Sequence, residues 1–262
     1  MGERWEVRRA GPQDAPHRVL LVPGALCTTE FYVDVMAEPA VAGLGMVAAT
    51  LPGFGPTEAP EDVSMEQYAR LMADFAAQSG CDVVVGHSLG ANVALEMAAA
   101  GLFTGPLVLL SPTFSRGDEM KTFTVLNSVG RVPGLGTMVW AGMLGLLPRS
   151  MKRELPPQRA EALAAAMSGN DPAVCRRIVQ RYYEYLDRHP SLVERLCGAG
   201  VPAWVVRGDH DEVGLTDEER GGLEACPRIR LVQVPDAGHA VLVEQPTAVA
   251  EVIAEAVKAG VG

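Results

Sequence analysis

Asp82-Val83-Val84-Val85-Gly86-His87-Ser88-Leu89-Gly90-Ala91-Asn92-Val93-Ala94-Leu95-Glu96-Met97 reads as a β-branched strand, a serine flanked by glycines, and a helix. A serine between strand and helix sits on a tight, strained turn. Glycines two residues to either side are needed because side chains there would collide with neighbouring backbone. The hydroxyl then stands proud of the sheet edge, and the following helix aims its N-terminal amides and positive dipole end at any developing oxyanion. Glycine-rich strand-helix turns also occur in proteins without a nucleophile, so the rest of the chain has to supply the serine's partners.

Outward from this turn, apolar runs recur at Arg18–Val22, Gly45–Leu51, Leu107–Leu110, Ala203–Val206 and Ile229–Val234. Most are continuous rather than alternating, as strands covered on both faces should be. Helical spacing occupies Ser64–Ser79, Ala91–Ala100, Thr216–Cys226 and Glu244–Lys258. The alternation predicts an α/β fold with a mostly parallel, doubly wound sheet. Between Ser111 and Gly200 it breaks: helical patterns with Pro and Gly interruptions replace the strands. The expected organisation is a core of residues 1–112 and 199–262 with a helical cap, 113–198, inserted into it. Within the cap, Asn170-Asp171-Pro172 predicts a helix start, with Asp as cap and Pro at the first helical position.

A serine that attacks a carbonyl needs a general base, and the base needs a carboxylate to fix its tautomer. The run Ala203–Val206 ends in Arg207-Gly208-Asp209-His210-Asp211, and Ile229–Val234 ends in Pro235-Asp236-Ala237-Gly238-His239. Both lie beyond the carboxyl ends of parallel strands, where such sheets bind ligands. Ser88, Asp211 and His239 are therefore expected to converge, with Asp209 as the reserve acid. His87 is read as a structural hydrogen-bonder pointing away from the nucleophile, and His17 and His189 as surface residues.

With these residues in place the chain resembles the α/β-hydrolase family along nearly its whole length. The order Ser, acid, His matches, as do Leu51-Pro52-Gly53-Phe54-Gly55 and Glu244-Gln245-Pro246. The resemblance implies a catalytic triad of Ser88, Asp211 and His239, with an oxyanion hole from the backbone amides of Leu89 and Ala25. In Val22-Pro23-Gly24-Ala25, Pro23 replaces the histidine common in the family, but Ala25 keeps its N–H. Relatives with an Asp at the elbow, such as epoxide hydrolases and haloalkane dehalogenases, do not match Ser88. The resemblance favours cleavage of a small, largely apolar ester, lactone or thioester, or a carbon-carbon bond, through an acyl-enzyme. Lyase, cyclase, perhydrolase, acyltransferase or ligand-receptor roles on the same fold stay open. The cap's apolar residues give candidate pocket positions at Phe114, Met138, Trp140 and Met143, joined by Leu26 from the oxyanion loop.

The 262 residues carry 22 Lys and Arg against 32 Asp and Glu, a net charge of −10 with no basic stripe, so nucleic acid is not an expected partner. The longest apolar stretch, Gly134–Leu147, is shorter than the roughly 20 residues of a spanning helix. Met1–Glu6 lacks an apolar signal core, which points to a cytoplasmic protein. Five scattered cysteines (Cys27, Cys81, Cys175, Cys197, Cys226) without a CxxC pair suggest neither a disulfide framework nor a zinc site. The expectation is free thiols, Cys27 a packed side chain, and no metal or cofactor. Oligomeric state is not legible in the sequence.

Overall fold

The computed structural model describes residues 5–130 and 136–260. Met1–Arg4 and the Gly134-Leu135 start of the apolar stretch lie outside these. Seven strands form one sheet in the order β1-β3-β2-β4-β5-β6-β7. They are β1 (Val7–Ala10), β2 (Arg18–Val22), β3 (Gly45–Ala49), β4 (Val83–His87), β5 (Leu107–Leu110), β6 (Ala203–Gly208) and β7 (Ile229–Val234). From β3 across to β7 every pairing is parallel, and β1 alone runs antiparallel, with Val7 opposite Ala49.

Every residue of β3, β4 and β5 is buried, which is why these runs are apolar without alternation. Helices α1 (Val33–Ala37), α2 (Met65–Ser79) and α3 (Leu89–Ala99) alternate with these strands, α3 lies directly against β2, β4 and β5, and α2 packs on α3. Ser64 caps α2, its hydroxyl accepting from the Gln67 N–H at 3.3 Å, and Gly80 ends it in the left-handed conformation.

Among the described residues, five α-helices occupy the stretch between β5 and β6: α4 (Lys121–Gly130), α5 (Gly136–Glu154), α6 (Pro157–Ser168), α7 (Pro172–Arg188) and α8 (Leu192–Ala199). The first four pack on one another, whereas α8 packs on α3 and on α9 (Asp217–Glu224) beside the sheet. The start of α7 follows the expected chemistry: Asp171 Oδ1 accepts from the Ala173 and Val174 N–H groups at 2.9 Å each, and Pro172 takes the first turn. The chain ends in α10 (Val241–Glu244) and α11 (Pro246–Ala259), and α11 lies against β4, β5 and β6.

One expectation fails here. Cys197, at the end of α8, and Cys226, just past α9, are joined in a disulfide with their Cα atoms 5.9 Å apart. They stand 29 residues apart in sequence, and only the side-by-side packing of α8 and α9 brings them together. Cys27, Cys81 and Cys175 are free. No helix among the described residues is long and apolar enough to cross a membrane.

Candidate active site

Ser88 follows β4 directly, with φ 51° and ψ −121°, a positive-φ conformation that a side-chain-bearing residue adopts only when its surroundings enforce it. The enforcement is visible on both sides. A Cβ on Gly86 would lie 2.3 Å from the Gly90 carbonyl oxygen, and one on Gly90 would lie 2.3 Å from that of Val22. The Ser88 N–H donates to Leu110 O at 2.8 Å, tying the turn to the end of β5. Helix α3 starts immediately afterwards at Leu89, so its unpaired first amides face the same space as the hydroxyl.

The loops after β6 and β7 bring Asp211 and His239 to this point. Ser88 Oγ lies 3.0 Å from His239 Nε2, and His239 Nδ1 lies 2.9 Å from Asp211 Oδ1. Asp211 is almost wholly buried, and its Oδ1 also accepts from the Val213 N–H at 3.0 Å. Burial alone would raise the pKa of this carboxyl, but its hydrogen bond to His239 and the charge there outweigh burial and hold it below the ordinary aspartate value. An ionised Asp211 fixes the imidazole with its proton on Nδ1, leaving Nε2 as an acceptor toward the serine. Asp209, the reserve acid, is used otherwise: its Oδ1 accepts from the Ala237 N–H at 3.2 Å and does not reach His239.

Ser88 and His239 open into a cavity of about 570 Å³, with Asp211 buried behind the histidine. One wall is the turn Gly24–Cys27, closed by a hydrogen bond from the Cys27 N–H to Gly24 O at 3.2 Å, with Leu26 at φ 66°. This is the form of a type II turn, which leaves the N–H of its second residue, Ala25, without a partner inside the turn. Ala25 and Leu89 both line the cavity beside Ser88. Its far walls are mostly apolar, with Phe31, Phe123, Leu147, Leu155, Met167 and Val179 among them.

A sequence model described as "Alpha/beta hydrolase family" matches residues 19–252. The chain belongs to the alpha/beta hydrolase family. Among relatives, it is 28% identical to "Putative hydrolase LipZ" of Mycobacterium tuberculosis over 93% of this chain and 88% of the other. Among solved structures, it resembles a thermophilic esterase from Thermogutta terrifontis with TM-score 0.73 and 21% identity, covering 98% of this chain and 94% of that one. It also resembles the enol-lactonase from Burkholderia xenovorans LB400 with TM-score 0.74 and 18% identity, covering 98% and 97%. At such identities the two structures bear on the fold alone.

In this alpha/beta hydrolase the histidine loop is held by residues that the sequence reading did not single out for that task. Glu244 brackets His239: its Oε2 accepts from the Gly238 N–H at 2.7 Å and its Oε1 from the Ala240 N–H at 3.2 Å. The His239 carbonyl accepts from Ser111 Oγ at 3.2 Å and from His87 Nε2 at 2.9 Å. His87 is thus a hydrogen-bonder as expected, but it does not point away: its ring centroid is 5.1 Å from that of His239 and it borders the cavity. Burial, followed by the neighbouring His239, pushes its pKa down to about 3, so it is neutral.

The cap residues chosen from sequence fare less well. Leu26 lines the cavity, but Phe114, Met138, Trp140 and Met143 do not. Phe114 and Trp140 are buried in packing, Met143 packs from the side of the core, and Met138 is 69% exposed. Apolar composition placed these residues in the cap without showing which helix face looks inward. Cys27 is buried at the cavity wall, and burial pushes its thiol up to about 12, so it is no nucleophile at neutral pH.

Two further polar residues from the segment between β5 and β6 shape the site. Asn170, read from sequence only as part of a helix start, donates from Nδ2 to Leu26 O at 2.9 Å and accepts at Oδ1 from the Gly55 N–H at 3.0 Å. It pins the Gly24–Cys27 turn to the loop after β3. Glu119, which no motif marked, stands in the cavity wall with its Oε1 accepting from Thr113 Oγ1 at 2.5 Å and the Tyr182 hydroxyl at 2.9 Å.

Proposed function

We propose that this protein is a serine hydrolase cleaving a small, largely apolar ester, lactone or thioester through an acyl-enzyme. The observation that carries the reading is the chain of contacts Ser88 Oγ to His239 Nε2 at 3.0 Å and His239 Nδ1 to Asp211 at 2.9 Å, opening into a cavity with mostly apolar walls. His239 Nε2 takes the hydroxyl proton as Ser88 Oγ bonds to the carbonyl carbon, and Asp211 stabilises the imidazolium that results. The oxyanion is met by the Ala25 and Leu89 amides, donors of a kind worth roughly 3 kcal/mol each in the transition state. Collapse of the intermediate breaks the bond to the leaving alkoxide or thiolate, which takes the proton from His239. Water, deprotonated by the same imidazole, then releases the acid. Helices α4 to α7 serve as the cap that keeps bulk water from the acyl-enzyme. Carbon-carbon bond hydrolysis would use the same residues.

The test is labelling by a fluorophosphonate, read by intact mass, together with turnover of a short p-nitrophenyl ester, in the wild type and in Ser88→Ala. Labelling and turnover should both vanish in the variant, with kcat falling by about 10⁶. A folded wild type that takes no label would sink the reading.

A further inference from the structure

The chemistry at Ser88 makes no use of Glu119, yet its carboxyl is built into the same cavity. Both of its protein partners donate to one oxygen: Thr113 Oγ1 and the Tyr182 hydroxyl meet at Oε1. Thr113 is itself locked to α3, its N–H donating to Asn92 Oδ1 at 3.2 Å and its carbonyl accepting from Asn92 Nδ2 at 2.7 Å. Asn92 lies one helical turn beyond Ser88, so the carboxyl is held in fixed register with the nucleophile. Tyr182, on α7, closes the network from the cap side. Among the described residues Oε2 has no partner, and no Lys or Arg lines the cavity to supply one.

Burial, only partly offset by the two hydroxyl donors, raises the Glu119 pKa above the ordinary glutamate value. The free Oε2 accepts a hydrogen bond when the carboxyl is ionised and can donate one when it is protonated. An alkyl group satisfies neither state, an ether or carbonyl oxygen only the protonated one, and an ammonium only the ionised one. An alcohol satisfies both. A buried polar group left unpaired disfavours the complex by the full cost of its desolvation, so a site of this kind discriminates strongly against an analogue that lacks the hydroxyl.

We propose that Glu119 is a specificity-determining residue, and that the substrate is a small ester carrying a free hydroxyl that pairs with Glu119 Oε2 while its scissile carbonyl faces Ser88. This rests on the serine-hydrolase reading of the same cavity.

The test compares kcat/KM for matched esters by pH-stat titration. Methyl pentanoate and hexanoate are set against their 3- to 6-hydroxy derivatives, and butyl butyrate against 4-hydroxybutyl butyrate, with an ω-ammonium ester as a further arm. One hydroxyl position should exceed its alkyl counterpart by about tenfold or more. Glu119→Leu and Glu119→Met should bring that ratio close to one, whereas Glu119→Gln, whose amide still donates, should keep part of it. The proposal is overturned if no hydroxyl position exceeds twofold, if Met and Gln at 119 behave alike, or if the ammonium ester is the preferred substrate. Fluorophosphonate labelling of the wild type separates the two failures. Label at Ser88 without a hydroxyl preference removes the proposal and leaves the hydrolase, and absence of label removes both.

Discussion

Ser88 and His239 meet at 3.0 Å, but the two sides of that contact are held by opposite means. On the serine side the constraint is steric: Gly86 and Gly90 have no room for a Cβ, and the backbone between them is forced to φ 51°. On the histidine side it is polar. Glu244 holds the amides on either side of His239, Ser111 and His87 hold its carbonyl, and Asp209 holds the Ala237 amide before it. A steric constraint fails as a whole when one atom is added. A set of hydrogen bonds loosens by degrees, and each member can be removed singly.

Among changes that leave Ser88 in place, the largest effect on turnover should come from Asp211→Asn, which keeps the shape of the polar side but favours the wrong imidazole tautomer. The expected loss is about 10⁴ in kcat for a p-nitrophenyl ester, about 5.5 kcal/mol. A loss under tenfold, with Asp209→Asn losing more, would move the acid to Asp209. Next comes pH. His87 has a folded pKa of about 3 against an ordinary 6.5, so the unfolded chain binds the extra proton in that interval. Its contribution to stability is fully present above pH 6.5 and is lost as pH falls toward 3, on the order of 4 to 5 kcal/mol across the window. Urea unfolding at stepped pH should show this slope, and His87→Asn should flatten it.

Gly90→Ala probes the steric side directly. It should lower stability by about 3 kcal/mol or more, or prevent folding, because the clash is with backbone. A variant with unchanged Tm would show that the elbow yields, and the contrast between the two sides would dissolve. Glu244→Ala should cost about 10² in kcat, since a catalytic group displaced by about 1 Å loses on that scale, with a smaller change in thermal stability. Smallest is Asn170→Ala, which frees the Gly24–Cys27 turn from the cap. About tenfold in kcat with KM nearly unchanged is the expected result, and a change confined to KM would assign Asn170 to substrate binding.

The same contrast explains what could be read from the chain. Steric requirements leave local marks: glycines two residues to either side of Ser88, and apolar runs where both faces of the sheet are covered. Leu107–Leu110, buried throughout, was accordingly legible end to end, whereas the edge strand Ile229–Val234 was legible from its β-branched residues rather than from full cover. Strand β1 was not, because Val7-Arg8-Arg9-Ala10 is an edge strand whose arginines face solvent and break the apolar run. Polar clamps leave no local mark either. Glu244 was noticed only for its place before α11, Glu119 not at all, and the Cys197–Cys226 bond joins residues that nothing in the intervening sequence connects. The inward faces of α4 to α7 depend on how these helices pack, which a single helix pattern does not encode.

That disulfide turns Gly198–Ala225 into a covalent ring, and β6 with Asp211 lies inside it. A backbone cut anywhere in the ring leaves both pieces on one molecule, which runs as intact protein on a gel until reductant is added. Asp211 is thus tethered from both directions, and the exposed start of α9, at Asp217 and Glu218, is a place where the chain can be opened without being divided.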